Sequence, residues 1–213
     1  MAKNKWIRNN YPVRRKMDTK EKILLGMLDL IEEVGLEKAS MGNLSQRIQT
    51  SPGNIYFYFK GKKDLIDTLY EYCMLNLTEY LDQGRLMEVD IDTDVEVCRE
   101  FVWDIVKKHI SFYKENPKMF HFIIKSKSSF YLSSDIKRGR LKRNKPIYDF
   151  MRLLIERKII KFIDVDFITI FILGVIYEFL KESIMFGNID LDSEEVDKLT
   201  EAIWSGLKYR ENA

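Results

Sequence analysis

The sequence is poor in the residues that build metal sites, disulfides and nucleophiles. It has two cysteines and two histidines among 213 residues. Cys73 and Cys98 match neither a zinc spacing nor the cysteine framework of a small secreted domain, and we expect both to be reduced thiols. His109 and His121 lack the spacing of paired ligands, and the acidic run 90–94 lacks the glycine that a calcium loop needs. We therefore predict no metal and no cofactor, and we do not expect an enzyme.

Proline and glycine are also scarce, with four and ten copies. Because apolar residues recur every three to four positions between these breaks, the spacing predicts an all-α fold. The longest apolar stretch, 167–180, contains Thr169 and Glu178, and it is shorter than the roughly 20 residues that a membrane-spanning helix needs. The N-terminus is polar and basic, and no apolar signal segment follows it. We expect a cytoplasmic protein with no membrane partner.

Positive charge is concentrated at the start of the chain, although the net charge of the whole is only +2. The first 22 residues hold eight lysines and arginines against two acidic residues, so the rest of the chain is net acidic. A basic arm, residues 1–17, ahead of a folded head is typical of proteins that bind polyanions, because each neutralised phosphate releases counterions. The charge alone fits a solubilising tail equally well.

Three short helices are predicted directly after this arm. Asp18 opens a capping box for the first helix, and Gly35 ends it. Ser40 caps the second helix, and Ser51 with Pro52 begins the third only about three residues after the second ends. Two short helices with so tight a connection are typical of a helix-turn-helix, in which the last helix lies in the major groove of DNA.

The residues from Ile23 to Leu65 resemble the TetR family of transcriptional repressors. The most specific part begins at Gly53 and reads Gly-x-hydrophobic-Tyr-x-x-Phe-x-x-Lys-x-x-Leu. The resemblance implies that Ser40, Tyr56 and Lys62 contact backbone phosphates. It also implies that seven residues face the groove: Thr50, Ser51, Pro52, Gly53, Asn54, Phe57 and Tyr58.

Two positions depart from the pattern of this family. Gln49-Thr50 stands where the family has Gly-Val, so we expect Gln49 to adopt the left-handed backbone conformation at a cost of about 1 kcal/mol. Leu25-Gly26 replaces a usual Ala-Ala pair in the first helix, and we expect this glycine to loosen the helix slightly. Neither departure threatens the fold.

The resemblance divides the chain into the arm 1–17, a helix-turn-helix DNA-binding domain 18–65, and a helical effector-binding and dimerisation domain 66–213. The last two helices, expected at 164–186 and 193–209, would pair with those of a second subunit. The predicted dimer interface consists of Phe167, Phe171, Gly174, Val175, Ile203 and Leu207. Aromatic residues are the candidate walls of an effector pocket, with ordinary core packing as the alternative for each: Trp103, Phe112, Phe120, Phe122, Tyr148, Phe171 and Tyr177.

The function implied is that of a homodimeric repressor, which binds a palindromic operator in double-stranded DNA and is released by a small, largely apolar effector. Two other classes stay open. One is a DNA-bound scaffold without a ligand, whose body recruits a protein, and the other is a helical enzyme or lipid carrier with an incidental basic head. The basic run 137–145 fits a solvated face, a clamp for an acidic ligand group, or an auxiliary DNA contact.

Overall fold

The computed structural model of the chain describes residues 18–82, 95–138, 145–161 and 164–209. Within these ranges every regular element is a helix, which confirms the all-α prediction. The basic arm 1–17 and residues 139–144 of the basic run lie outside the described residues. In chain order the helices are α1 (Thr19–Val34), α2 (Met41–Arg47), α3 (Pro52–Tyr58), α4 (Lys62–Asp82), α5 (Val95–Glu115), α6 (Pro117–Lys127), α7 (Ser134–Arg138), α8 (Lys145–Glu156), α9 (Val165–Leu180), a π-helical turn (Lys181–Met185) and α10 (Ser193–Leu207).

Side-chain caps begin the first three helices where the sequence predicts. Asp18, Ser40 and Ser51 each accept a hydrogen bond from the backbone N–H three residues later, at 2.7, 3.1 and 3.2 Å. These caps satisfy N–H groups that have no partner inside the helix, so they fix where each helix begins. The last helix, α10, begins at the predicted residue 193, and Asp192 caps it by accepting from the N–H of Glu195 at 2.9 Å.

The described chain divides into two compact units. The head comprises α1 to α3, α4 as far as Leu75, α6 and α7, and the body comprises the rest of α4 with α5, α8, α9 and α10. The predicted boundary at 65/66 put α6 and α7 in the body instead. The two divisions differ because α6 packs on α1 and because its Phe120 and Phe122 are buried.

The core of the head is built on an apolar stripe of α1. Ile23, Met27 and Ile31 recur every four residues on this helix, and all three are buried. Leu44 of α2 and Ile55 of α3 are completely buried as well. Since each of the short helices α2 and α3 buries one face in this core, the opposite face of each is directed outward.

Helices α1 and α2 approach each other closely at Gly26. A Cβ atom at this position would lie 2.3 Å from Cγ2 of Ile48 and 3.3 Å from Cδ1 of Leu44, so no larger side chain fits without movement. The sequence led us to expect that Gly26 only loosens α1. The structure corrects this expectation, because the missing side chain is what lets the two helices pack together.

An ion pair and a hydrogen bond join α6 to α1. The Lys118 ammonium lies 2.5 Å from Asp29 Oδ1, and His121 Nδ1 lies 2.8 Å from Glu32 Oε1. The partners are three residues apart on both helices, so the two pairs follow one line along the contact. Pro117 is the first residue of α6, where its missing N–H costs nothing.

Aromatic and backbone contacts hold the body together. The rings of Phe101 and Phe150 lie 4.4 Å apart, and the hydroxyl of Tyr148 donates to Asp166 Oδ1 at 3.0 Å.

No helix of the described part of the chain combines the length and the apolar character needed to cross a membrane.

The end of α10 is tied back to the segment after α8. The backbone N–H of Lys161 donates to the carbonyl of Leu207 at 2.8 Å, and the N–H of Tyr209 donates to the carbonyl of Ile159 at 3.0 Å. These bonds flank an isolated antiparallel bridge between Ile160 and Lys208. The last helix of the body is therefore fixed at its C-terminal end by the main chain itself.

Candidate nucleic-acid interface

The connection between α2 and α3 is a tight turn made by the main chain. Gln49 has φ of 52°, which confirms the predicted left-handed conformation. The N–H of Thr50 donates to the carbonyl of Ser45 at 3.0 Å, and the N–H of Gln49 donates to the carbonyl of Gln46 at 3.3 Å. The turn therefore satisfies carbonyls at the end of α2 while it reverses the chain into α3.

A network of short hydrogen bonds fixes the start of α3. Ser51 caps the helix, and Pro52 is its first residue, as predicted. The side-chain amide of Asn54 donates to Oγ1 of Thr50 at 2.8 Å. This bond uses one donor of the amide and orients its carbonyl oxygen, so Asn54 is held in one rotamer at the outer surface of the turn.

Three consecutive aromatic residues form the exposed face of α3. Tyr56, Phe57 and Tyr58 are 54%, 81% and 37% exposed, whereas Ile55 and Phe59 on either side are buried. The rings of Phe57 and Tyr58 meet edge to face, 5.1 Å apart. A stripe of this kind leaves a substantial apolar area in water, which is the usual mark of a surface that meets a partner.

The beginning of α3 is open to close approach by another molecule. Gly53 is exposed, and a Cβ atom placed on it would meet nothing within 4 Å. Ser40, at the start of α2, is half-buried, and its hydroxyl oxygen accepts the capping bond from Asn43. Because a hydroxyl both accepts and donates, its hydrogen is available for an acceptor such as a phosphate oxygen.

Lys62 occupies a different place from the other predicted site residues. Its ammonium donates to the carbonyl of Leu36 at 2.6 Å and to that of Glu37 at 3.1 Å. The same ammonium lies 3.9 Å from the centre of the Tyr131 ring. A phosphate contact, as the sequence predicted for Lys62, would have to compete with all three of these interactions.

Two exposed lysines flank Lys62, and sequence reasoning did not single them out. Lys60 and Lys63 are both exposed, next to the end of α3. In the sequence they stand out only as positive charges next to the helix that we predict to lie in the major groove. The spacing of apolar residues does not distinguish a lysine that binds DNA from one that is only solvated. Arg47 on α2 is also a cation of this surface, but it is paired with Glu33.

Residues 23–69, which include this turn and both of its helices, match the model of the tetR family of bacterial regulatory proteins. The chain carries the N-terminal domain of the TetR family. An uncharacterised helix-turn-helix transcriptional regulator of Bacillus subtilis, YvdT, is 35% identical over 92 residues, which are 42% of this chain and 46% of that protein. The chain thus matches somewhat less than half the length of this relative.

Solved structures of transcription regulators share the fold over most of the chain. A TetR family transcription regulator from Marinobacter aquaeolei superposes with a TM-score of 0.78 and 15% identity, covering 90% of this chain and 96% of that one. A putative transcription regulator from Lactobacillus plantarum gives a TM-score of 0.67 with 21% identity, covering 91% of this chain and all of that one. At such identities the likeness establishes the TetR fold and nothing finer.

The aromatic residues predicted to line an effector pocket are divided between the two compact units of the chain. Phe120 and Phe122 are buried in the head. Trp103 of the body lies between two cations of its own helix, with Arg99 at 4.6 Å and Lys107 at 4.8 Å from its ring. Phe120 and Phe122 thus contribute to the core of the head, Trp103 packs against charged side chains, and a pocket role for the three stays a prediction.

The remaining predicted pocket residues, Phe112, Tyr148, Phe171 and Tyr177, belong to the body. Tyr177 of α9 takes part in a ring cluster that the sequence did not reveal, because its ring lies 5.8 Å from His109 and 6.1 Å from Tyr113. His109 and Tyr113 are buried residues one turn apart on α5. This cluster is the polar aromatic centre of the body.

The predicted dimer residues of α9 are exposed or half-buried, whereas those of α10 are buried. Phe167 and Phe171 are exposed on α9, Gly174 of the same helix is open to solvent, and Val175 is half-buried. Ile170, which we did not predict, extends this exposed stripe. Two other members of the predicted interface lie in the interior of the body instead: Ile203 and Leu207.

Burial and hydrogen bonding shift the pKa values of some thiol and charged groups among the described residues. Burial raises the pKa of the Cys73 thiol above its ordinary value, and both Cys73 and Cys98 are buried thiols outside any disulfide, which agrees with the prediction of reduced cysteines. A hydrogen bond from Arg99 of α5 lowers the pKa of the Glu201 carboxyl on α10. The two side chains form an ion pair between these helices. Within the described ranges no three His, Cys, Asp or Glu side chains are grouped so that they could hold a metal.

Proposed function

We propose that this protein is a DNA-binding transcriptional regulator that reads the major groove with α3. The observation that carries the proposal is the outward aromatic stripe of α3, at the end of a tight helix-turn-helix whose opposite face is anchored in the core by Ile55 and Phe59. A helix anchored on one side, with small and polar groups at its start, has the form of a recognition helix. A regulator of this kind acts in the cytoplasm, where the bacterial chromosome lies.

The residues of this surface divide by what they can contact. The Ser40 hydroxyl, the Tyr56 hydroxyl and the exposed Lys60 and Lys63 are donors suited to phosphate oxygens. Phe57 is the most exposed ring of α3 and is suited to apolar contact with a thymine methyl group. The turn and the start of α3 supply the remaining groove-facing groups: Thr50, Ser51, Pro52, Gly53, Asn54 and Tyr58. The basic arm 1–17 adds charge for the backbone.

We further propose that two copies act together on a palindromic operator. The support is the exposed apolar stripe of α9, in which Phe167 and Ile170 are 60% and 56% exposed and Gly174 leaves room for a second helix. A two-fold symmetric pairing would cover this stripe with its own copy. Two heads at a fixed spacing then match half-sites one helical turn apart.

The regulation we propose is repression relieved by a small, largely apolar effector. The body has an aromatic interior, with the cluster of His109, Tyr113 and Tyr177 at its centre. An effector that binds more tightly to a pair of heads spaced wrongly for the operator lowers DNA affinity by the difference between its two binding free energies. A compound without such a preference has no effect on release.

Selection of duplexes from a random pool tests the DNA-binding proposal. We expect enrichment of a palindromic site, and we expect Phe57→Ala to weaken binding to it about fivefold or more, since a good base contact contributes about 1–3 kcal/mol. Leu75→Ala is the control, because Leu75 is a head residue on α4 that is 56% exposed and lies outside α3. A pool without any enriched sequence, or equal losses in both variants, would contradict the proposal.

A further inference from the structure

The contacts of Lys62 give it a role that differs from that of a phosphate ligand. A lysine ammonium has three N–H donors and no acceptor. Two of them are directed at the carbonyls of Leu36 and Glu37, and the ring face of Tyr131 lies 3.9 Å away. Hydrogen bonds from a charged donor are about twice as strong as neutral ones, and a ring face attracts a cation. The ammonium is thus fully engaged inside the head.

The two carbonyls belong to the turn that sets the start of α2. This turn continues with Ala39, which is completely buried and whose N–H donates to the carbonyl of Gly35 at 3.1 Å. Ser40 follows and caps α2. Since α2 leads through the tight turn at Gln49 into α3, a shift of the 36–37 carbonyls is passed on to the exposed face of α3.

Tyr131 is itself held in place by its neighbours. It lies in the turn between α6 and α7, next to Leu132, which is buried. The backbone N–H of Ser133 donates to Oδ1 of Asp67 on α4 at 2.8 Å. The α6–α7 turn is thus attached to α4 on one side of Lys62, while the α1–α2 turn is attached to Lys62 directly.

We propose that Lys62 is a positioning residue that fixes the α1–α2 turn, and that Tyr131 holds its ammonium there, so that the α6–α7 turn sets the placement of α3 without touching DNA. This inference rests on the proposed DNA-binding function. It identifies Tyr131, far from α3 in sequence, as a residue that governs operator affinity. It also explains why Lys62 is only half-exposed while Lys60 and Lys63 are exposed.

The test uses the full-length protein and a duplex enriched by the wild type, with dissociation constants measured across a range of salt concentrations. We expect Lys62→Met to weaken binding about tenfold at every salt concentration, as for loss of a hydrogen bond from a charged group, with the wild-type salt slope. Loss of a phosphate contact would instead flatten that slope by about one unit. A flattened slope, or unchanged affinity, overturns the proposal.

Tyr131 provides the second arm. Tyr131→Phe keeps the ring face and should bind within about twofold of the wild type, whereas Tyr131→Leu should bind a few-fold more weakly, because a cation–π contact contributes about 0.5–1 kcal/mol at an exposed site. Equal affinities for the two variants would refute the part assigned to Tyr131. Lys62→Arg, which keeps the charge and donors, should recover part of the loss.

Hydrogen exchange separates this inference from the proposed function. The Ala39 amide should lose protection in Lys62→Met and keep it in Lys63→Met, the matched control at an exposed neighbouring lysine. If the wild type enriches no duplex, the proposed function fails. Exchange at the Ala39 amide then tests only whether Lys62 fixes the α1–α2 turn. Full protection of this amide in Lys62→Met overturns the inference even if the wild type binds DNA well.

Discussion

Replacing Gly26 by alanine tests the close packing of α1 against α2. Alanine is favoured over glycine inside a helix by about 1 kcal/mol, so propensity alone predicts a more stable protein. The structure predicts the opposite, because the new methyl group would lie 2.3 Å from Cγ2 of Ile48. An ordinary contact needs at least 3.4 Å, so Ile48 would have to move by roughly 1 Å in a packed core.

The magnitude follows from the balance of these two effects. Overpacking of a core costs about 1–3 kcal/mol, which exceeds the gain in helix propensity over most of that range. We therefore expect Gly26→Ala to lower the free energy of unfolding by up to about 2 kcal/mol. For a chain of this size each 1 kcal/mol shifts the melting temperature by about 2–4 °C, which thermal unfolding followed by circular dichroism resolves.

Gly42→Ala is the matched control in α2, because a Cβ atom there would meet only Ser40 Oγ, at 3.9 Å. We expect this variant to be as stable as the wild type or more so. A double-mutant cycle with Ile48→Ala adds a further check, since the methyl group at 26 would enter the space that Ile48 leaves and the two effects should not add. A Gly26→Ala protein that is more stable than the wild type would refute the reasoning.

Two further predictions concern the turn and the exposed stripe of α9. Gln49→Asn should raise the free energy of unfolding by up to about 1 kcal/mol, because asparagine tolerates the left-handed conformation that Gln49 adopts; an unchanged melting temperature would count against it. Ile170→Glu should convert a dimer into monomers in sedimentation experiments, since it places a charge within the proposed interface, whereas Phe130→Glu in the head should not. A wild-type protein that is already monomeric at micromolar concentration would show that the interface is wrong.

Local signals made the head predictable from its sequence. The capping side chains of Asp18, Ser40 and Ser51 each bond to the backbone N–H three residues later. Both partners of each hydrogen bond therefore lie within one short stretch of the sequence. The left-handed Gln49 was equally accessible, because a short turn without glycine has to use some other residue. Such features depend on neighbours along the chain and not on how helices are arranged.

Residues whose surroundings depend on distant parts of the chain were harder to assign from the sequence. Apolar spacing shows that Ile203 and Leu207 share a face of α10, but it does not tell whether that face meets the body or a second copy. The carbonyl partners of Lys62 lie 26 and 25 positions away, at a turn that has no special sequence. Trp103 is a different case, because the two cations at its ring, Arg99 and Lys107, are only four residues away on the same helix, and its pocket role stays a prediction.

The pairing of the chain near Ile160 and Lys208 bears on how the protein is handled. The last residues of α10 serve as backbone partners for the strand-like segment after α8, so they are part of the body and not a dispensable tail. Shortening the chain to end before Leu207 would leave the N–H of Lys161 and the carbonyl of Ile159 without these partners. Truncated variants should therefore keep the chain through Tyr209.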